Sequence, residues 1–177
     1  MLSAFCKSLR GSDSDSALFY AFRLIECGVD PLIIIRRLIA HASEDVGMAD
    51  SNAMLISLSA LNAYKEMGKP EGLIPLTHAI IYVCEAEKSN SVIVAKELAE
   101  QDAKNVKKVI VPNRLKNHPS TNDDGTGKYK YPHDYGGYVK QQYLPDDLKD
   151  RVYYTPSKNG REKNLIRKKF DKEKYNK

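Results

Sequence analysis

The sequence predicts an all-α fold: an antiparallel helical bundle followed by an extended, basic, tyrosine-rich C-terminal segment. Three observations carry this. Apolar residues recur at helical spacing through the first 105 positions, and caps, prolines and glycines punctuate them. The stretches between periodic segments are only a few residues long, which favours antiparallel neighbours. Hydrophobic residues at 42% and charged residues at 29% suit a soluble domain with a real core.

Each element follows in order. A short N-terminal helix ends near "RGSD". The "SDSD" cluster offers N-caps for "ALFYAFRLIEC", where Leu18, Ala21, Leu24 and Ile25 share a face and Gly28 closes the helix. Asp30 then Pro31 is a strong start: a capping carboxylate before a ring already at helical φ. Leu32, Ile35, Leu38, Ile39 and Ala42 form the apolar side of this helix, which Gly47 ends. Asp50 or Ser51 caps the next, "AMLISLSALNAYKEM", whose apolar residues cover much of its circumference, as in a central helix. "KPEGLIPLTHAIIYVCEA" forms another, with Pro70 and Pro75 constraining its first turns, and Ser89 caps "NSVIVAKELAEQDAKN".

Beyond Val106 the pattern changes. The chain becomes rich in Pro, Gly, Asn and Tyr without sustained periodicity. Eight of the eleven tyrosines lie between Tyr129 and Tyr175, and aromatic anchors are expected to pin this segment to the helices. "GREKNLIRKKFDKEKYNK" reads as a basic terminal helix with Leu165, Ile166 and Phe170 on its apolar side. The expected organisation is a helical domain over 1–105, an extended segment over 106–160 and the terminal helix over 161–177.

Charge divides along the same line. Residues 1–111 carry 12 basic and 14 acidic side chains; residues 112–177 carry 16 and 9. An anionic partner for the last third is one reading, a solvated basic surface the other. No uncharged stretch approaches the roughly 20 apolar residues that cross a bilayer, and the N-terminus lacks the pattern of a signal peptide. The expected location is the cytoplasm, with no membrane partner. Cys6, Cys27 and Cys84 lie far apart among apolar residues and are expected to be reduced, mostly buried thiols.

Motifs for catalysis are scarce. "NDDGTGKY" lacks the first glycine of a phosphate-binding loop, and Tyr129 stands where a Ser or Thr must hold magnesium. The four histidines have no ligand spacing among them. "HASEDVGMAD" is the densest polar stretch. On a continuous helix Arg37, His41, Glu44 and Asp45 share one stripe, so a general-base reading competes with a structural one. The structural reading is preferred: Arg23, Arg36 and Arg37 would neutralise Glu44 and Asp45 at a helix C-terminus, in a polar network that includes His41 and Ser43. No catalytic, cofactor-binding or metal-ligating residue is assigned.

Taken together, "SAFCKSLRGSDSDSALFYAFRLIECGVDPLIIIRRLIAHASEDVGMAD", "EGLIPLTHAIIYVCEAEKSNS", "VPNRLKN", "KYKYPHD", "QQYLPDDL" and "YYTPSKNGREKNLIRKKF" closely resemble one family. That family is the C-terminal region of replication-associated recombination protein A, also called MgsA. These AAA+ ATPases are similar to Werner helicase-interacting protein. The resemblance spans almost the whole chain; it departs at Glu87, where the family usually has proline, and at a shorter connection over 119–128. It implies a collar-like bundle, as in clamp loaders, that joins subunits into a homotetramer. It also implies an N-terminal module, absent here, that uses ATP and Mg, and work on DNA in replication, recombination and repair at stalled forks. Replication-fork proteins such as single-stranded DNA-binding protein, and a place on the bacterial nucleoid, belong to the same expectation. None of the family's catalytic residues falls in this chain, which reads as an isolated C-terminal piece and not an enzyme.

Two functions therefore compete. One is an oligomerisation module, because 30–42 and 51–64 are apolar around much of their circumference; a monomeric bundle could also bury both faces. The other is a single-stranded or fork DNA-binding module in the last third. There Lys and Arg would neutralise phosphates and Tyr faces stack on bases. Its candidates are Arg114, Lys116, Lys128, Tyr129, Lys130, Tyr131, Arg167, Lys168 and Lys169.

Overall fold

A computed structural model describes residues 1–118 and 127–171. Among the described residues there are six α-helices and no strand: α1 (Leu2–Arg10), α2 (Ser14–Glu26), α3 (Pro31–His41), α4 (Asn52–Met67), α5 (Leu73–Glu85) and α6 (Ser91–Asn105). The helix boundaries follow local chemistry. The Asp13 carboxylate accepts from the Ser16 amide at 2.8 Å and from its hydroxyl at 2.9 Å, starting α2. Asp30 accepts from Leu32 N–H at 2.9 Å, and Pro31 occupies the first turn of α3. Gly28, at φ +85°, ends α2: its amide donates to Ile25 and that of Val29 reaches back to Leu24, both at 3.0 Å.

The chain divides into two units. Met1–Glu97 with Tyr154–Leu165 forms the first, and Leu98–Tyr153 with Ile166–Lys177 the second. In the first unit α5 is the central helix, packing on α1, α2, α3 and α4. Phe5, Leu9, Ile34, Ile35, Leu38, Leu76, Ile80 and Val83 are fully enclosed around it. Each such side chain contributes roughly 1.5–3 kcal/mol by leaving water. α4, expected to be central from its all-round apolar composition, is peripheral. It buries Ala53, Ser57 and Ala60 and leaves Met54, Leu55 and Leu58 exposed. Small residues, not large ones, mark its packed face, so they let it lie close to α5.

Further expectations are corrected. Cys84 is buried and Cys6 partly so, but Cys27 is exposed at the end of α2. Burial pushes the Cys84 thiol up to about 11. Over 161–171 there is no continuous helix: two short 3-10 turns, Gly160–Asn164 and Lys168–Phe170, are separated by extended backbone. The isolated basic helix lacked a packing partner along its length, and such helices are marginal in water. The rest of that stretch, 172–177, lies outside the described residues, as do "NDDGT" and most of the shortened connection at 119–128.

Candidate functional site

At the end of α3 the backbone loosens into one π-helical turn, Ala42–Val46, before Gly47 (φ +51°) turns the chain. This change of pitch defeats the stripe expected from a continuous helix. His41 and Asp45 stay paired, Nδ1 to Oδ2 at 2.6 Å, both nearly enclosed. An ionised carboxylate only accepts, so the imidazole Nδ1–H is the donor. The guanidinium, however, comes from the end of α1. Arg10 Nε donates to Asp45 Oδ1 at 2.8 Å and Nη2 donates to Glu44 Oε1 at 2.6 Å.

Among the described residues neither carboxylate is paired with Arg23, Arg36 or Arg37. Those three side chains are exposed, and Ser43 is half-buried beside the network without bonding to it. Burial alone would raise the Asp45 carboxyl, but the bonds from His41 and Arg10 hold it below the usual range. His41, Glu44 and Asp45 offer ligand atoms within 4.8 Å of one another. Arg10 already bonds both carboxylates, so the local charge is met without a metal ion.

A second polar cluster, unforeseen, lies in the same unit. The segment Tyr154–Leu165 returns to the bundle and places Glu162 against the start of α6. Glu162 is 1% exposed. It accepts from Ser91 Oγ at 2.6 Å, Tyr154 OH at 2.8 Å and Ser157 Oγ at 2.6 Å, and also from Ser89 Oγ. Burial pushes this group up, yet four hydroxyl donors together outweigh that and bring it down to about 2. A proton-transferring carboxylate at neutral pH needs the opposite shift. Glu162 is therefore a fixed anion.

The surrounding bonds tie both clusters to one corner. Ser89 N–H donates to the Asp45 carbonyl at 2.7 Å. The Lys88 ammonium caps α5 by donating to the carbonyls of Val83, Cys84 and Ala86 at 2.7–2.8 Å. Asn159 Nδ2 donates to the Lys88 carbonyl at 2.8 Å. Gly160 has φ +51°, and a Cβ there would come within 2.5 Å of the Ala49 carbonyl oxygen, so only glycine fits. Tyr82 OH donates to Asp50 at 2.7 Å while the other Asp50 oxygen receives Asn52 N–H at 3.1 Å. These contacts fix backbone.

On the outer surface of the first unit, α4 and α5 present apolar side chains. Leu55 (56% exposed) and Leu58 lie on α4; Ile74 (71%) and Ile81 lie seven residues apart on one side of α5. Exposed large apolar side chains mark interaction surfaces where they adjoin.

In the second unit Arg151 donates to Asp102 at 2.7 Å and Tyr153 OH to the other oxygen at 3.1 Å, anchoring the segment to α6 within that unit. Tyr129, Tyr131, Tyr135 and Tyr143 are roughly half exposed. Lys128 and Lys130 are exposed as well. Arg114 is half-buried, and Lys116 donates to Asn113 at 2.8 Å. Arg167 and Lys169 both sit over the Phe170 ring, at 5.1 and 5.8 Å, and Lys168 belongs to the same turn. Lys128, Tyr129, Lys130 and Tyr131 are neighbours in sequence. Arg114 sits in a turn of its own, Asn113–Leu115, and Lys116 follows it in extended backbone.

Comparison with known proteins agrees with this architecture. The family model described as "MgsA AAA+ ATPase C terminal" matches residues 11–173. Replication-associated recombination protein A of Bacillus subtilis is 44% identical over 97% of this chain and 42% of its own length. Its Escherichia coli counterpart is 38% identical over 92% of this chain and 37% of its own length. The protein named ATPase WRNIP1 of Dictyostelium discoideum is 33% identical over 87% of this chain and 18% of its own length. The chain spans less than half the length of these relatives. Among the described residues, no helix is long and apolar enough to cross a membrane. Its match from residue 11 to residue 173 places this all-helical chain in the family of C-terminal domains of MgsA-type AAA+ ATPases.

Proposed function

We propose that this domain is the assembly module of its ATPase: copies of the chain join through the outer faces of α4 and α5 into a closed homo-oligomer. The resemblance implies four subunits. The single observation that carries the reading is the exposure of Leu55 and Leu58 on α4 together with Ile74 and Ile81 on α5. Two packed helices already supply the bundle with a core, yet each keeps a second apolar side that a monomer leaves in water. Closed symmetric assembly covers such a face in every copy.

The module itself does no chemistry in this reading. Its enclosed carboxylates are held ionised by donors, and ATP and Mg would be bound by another part of the complete protein. That protein would spend ATP on DNA at damaged or stalled forks, with the present domain holding the subunits in register.

Light scattering at micromolar concentration tests the assembly. A multiple of the 19.9 kDa subunit mass is expected, falling to one subunit in Leu55→Glu/Ile81→Glu with the helical content retained. A single-subunit mass for the unaltered chain across that range overturns it.

A further inference from the structure

Between α6 and the turn Asn113–Leu115, the second unit presents backbone that pairs with nothing. Residues 107–111 read "KKVIV", and all five are exposed. Val109 is 61%, Ile110 63% and Val111 43% exposed, so three adjoining aliphatic side chains stand in water. Among the described residues, no amide or carbonyl group from Lys107 to Val111 takes part in a hydrogen bond.

Both ends of this stretch are fixed. Val106 N–H donates to the Asp102 carbonyl at 3.0 Å, and Arg151 and Tyr153 hold the Asp102 side chain. On the far side Pro112 and Asn113 are buried, and Leu115 N–H donates to the Pro112 carbonyl at 2.9 Å. β-Branched residues favour extended backbone, and a following proline pushes Val111 the same way. In that conformation Val109 and Val111 face one side and Ile110 the other. The stretch has the chemistry of a strand, but no sheet to join.

Charge and shape select what can pair with it. From Ala103 to His118 there are five Lys or Arg residues and no Asp or Glu. A second copy laid alongside would set two such groups of cations against each other, which is unfavourable. A nucleic-acid strand would meet the lysines, but aliphatic side chains give its bases no ring to stack on. An extended peptide supplies the missing donors and acceptors. Its apolar side chains cover Val109, Ile110 and Val111, while its carboxylates meet Lys107 and Lys108. A segment already held at both ends loses little freedom when a strand is added.

We propose that residues 107–111 are a strand-addition site for an extended acidic segment of a partner protein. The site does not rest on assembly through α4 and α5.

The test uses the whole chain and a fluorescein-labelled heptapeptide, Glu-Glu-Val-Thr-Val-Glu-Glu, followed by anisotropy. Binding is expected, with slowed amide exchange confined to residues 107–111. N-methylation of the three central peptide residues removes the strand donors and is expected to weaken binding about ten-fold. Ile110→Ser, which alters an exposed side chain, is expected to weaken it about ten-fold. Lys107→Ala/Lys108→Ala is expected to weaken it about five-fold, with the difference fading as salt is added. Val109→Ser repeats the test should Ile110→Ser alter the circular dichroism. No binding at millimolar peptide, equal affinity of the N-methylated peptide, or unchanged exchange over 107–111 overturns the proposal. So does protection of 107–111 by a second copy, seen as exchange that slows with protein concentration, or by an oligothymidylate in preference to the peptide. The subunit mass, followed in the same samples, reports on assembly separately.

Discussion

Glu162 and Ser91 are 71 residues apart in sequence and joined by a 2.6 Å hydrogen bond inside the first unit. The bond brings a carboxylate from a basic, irregular stretch to the first turn of α6, where amide groups lack helical partners and negative charge is favoured. Three further hydroxyls complete its surroundings, so the acid is solvated by protein instead of water.

Removing this anion is therefore costly. Glu162→Ala leaves four hydroxyls without their acceptor and is expected to lower unfolding stability by about 2–4 kcal/mol. Glu162→Gln keeps one acceptor oxygen and is expected to lose roughly half as much. Urea denaturation of the two variants against the unaltered chain measures the order, and equal midpoints for all three would refute the role given to the carboxylate.

Acid should act through the same group. Its pKa is about 2 in the fold against an ordinary 4.5. A depressed carboxylate contributes stability that is fully present above the unfolded value and is lost as pH falls through 4.5 toward 2. The loss is on the order of 3 kcal/mol. Asp45, also held low, adds in the same direction. The urea midpoint followed from pH 6 down to about 3 should fall more steeply for the unaltered chain than for Glu162→Gln. Parallel curves would show that another group governs the acid limb.

Gly160→Ala places a methyl group 2.5 Å from the Ala49 carbonyl oxygen at a positive φ. The segment Tyr154–Leu165 cannot then seat as it does. Stability is expected to drop by about 1–3 kcal/mol, with faster amide exchange concentrated in that segment. Exchange unchanged there but faster throughout α2 and α5 would contradict the placement.

The arginines separate cleanly. Arg10→Ala strips a guanidinium from Glu44 and from the nearly enclosed Asp45. Because Arg10 itself is half exposed, the expected cost is only about 1 kcal/mol. Arg23→Ala, Arg36→Ala and Arg37→Ala should each stay within about 0.5 kcal/mol of the unaltered chain. A larger effect from Arg37 than from Arg10 would restore the pairing expected from a continuous helix.

Local signals made the helices legible. Asp13, Asp30–Pro31, Gly28 and Gly47 act within a few residues of where they stand, and each marks the boundary it encodes. The polar pairings were legible only in part. His41 and Asp45, four apart, could be matched by counting. Arg10 could not, because a partner from another helix depends on how α1 meets α3, and the π turn rotates the carboxylates away from their own helix's arginines. Glu162 was hidden more deeply: an acidic residue in "GREKN" reads as part of a solvated surface, and its donors come from two distant stretches. The one available hint was its isolation among basic neighbours. Composition also misled for α4, since all-round apolarity serves a buried centre and a surface shared with a neighbour equally well.

The return of Tyr154–Leu165 to the first unit sets an order on biosynthesis. Residues 1–97 leave the ribosome first and can pack around α5, but their last corner waits for a side chain made only after the whole intervening stretch 98–153. Until Glu162 emerges, the Ser89 and Ser91 hydroxyls lack their carboxylate acceptor, and a nascent chain halted at Tyr153 would carry that corner open.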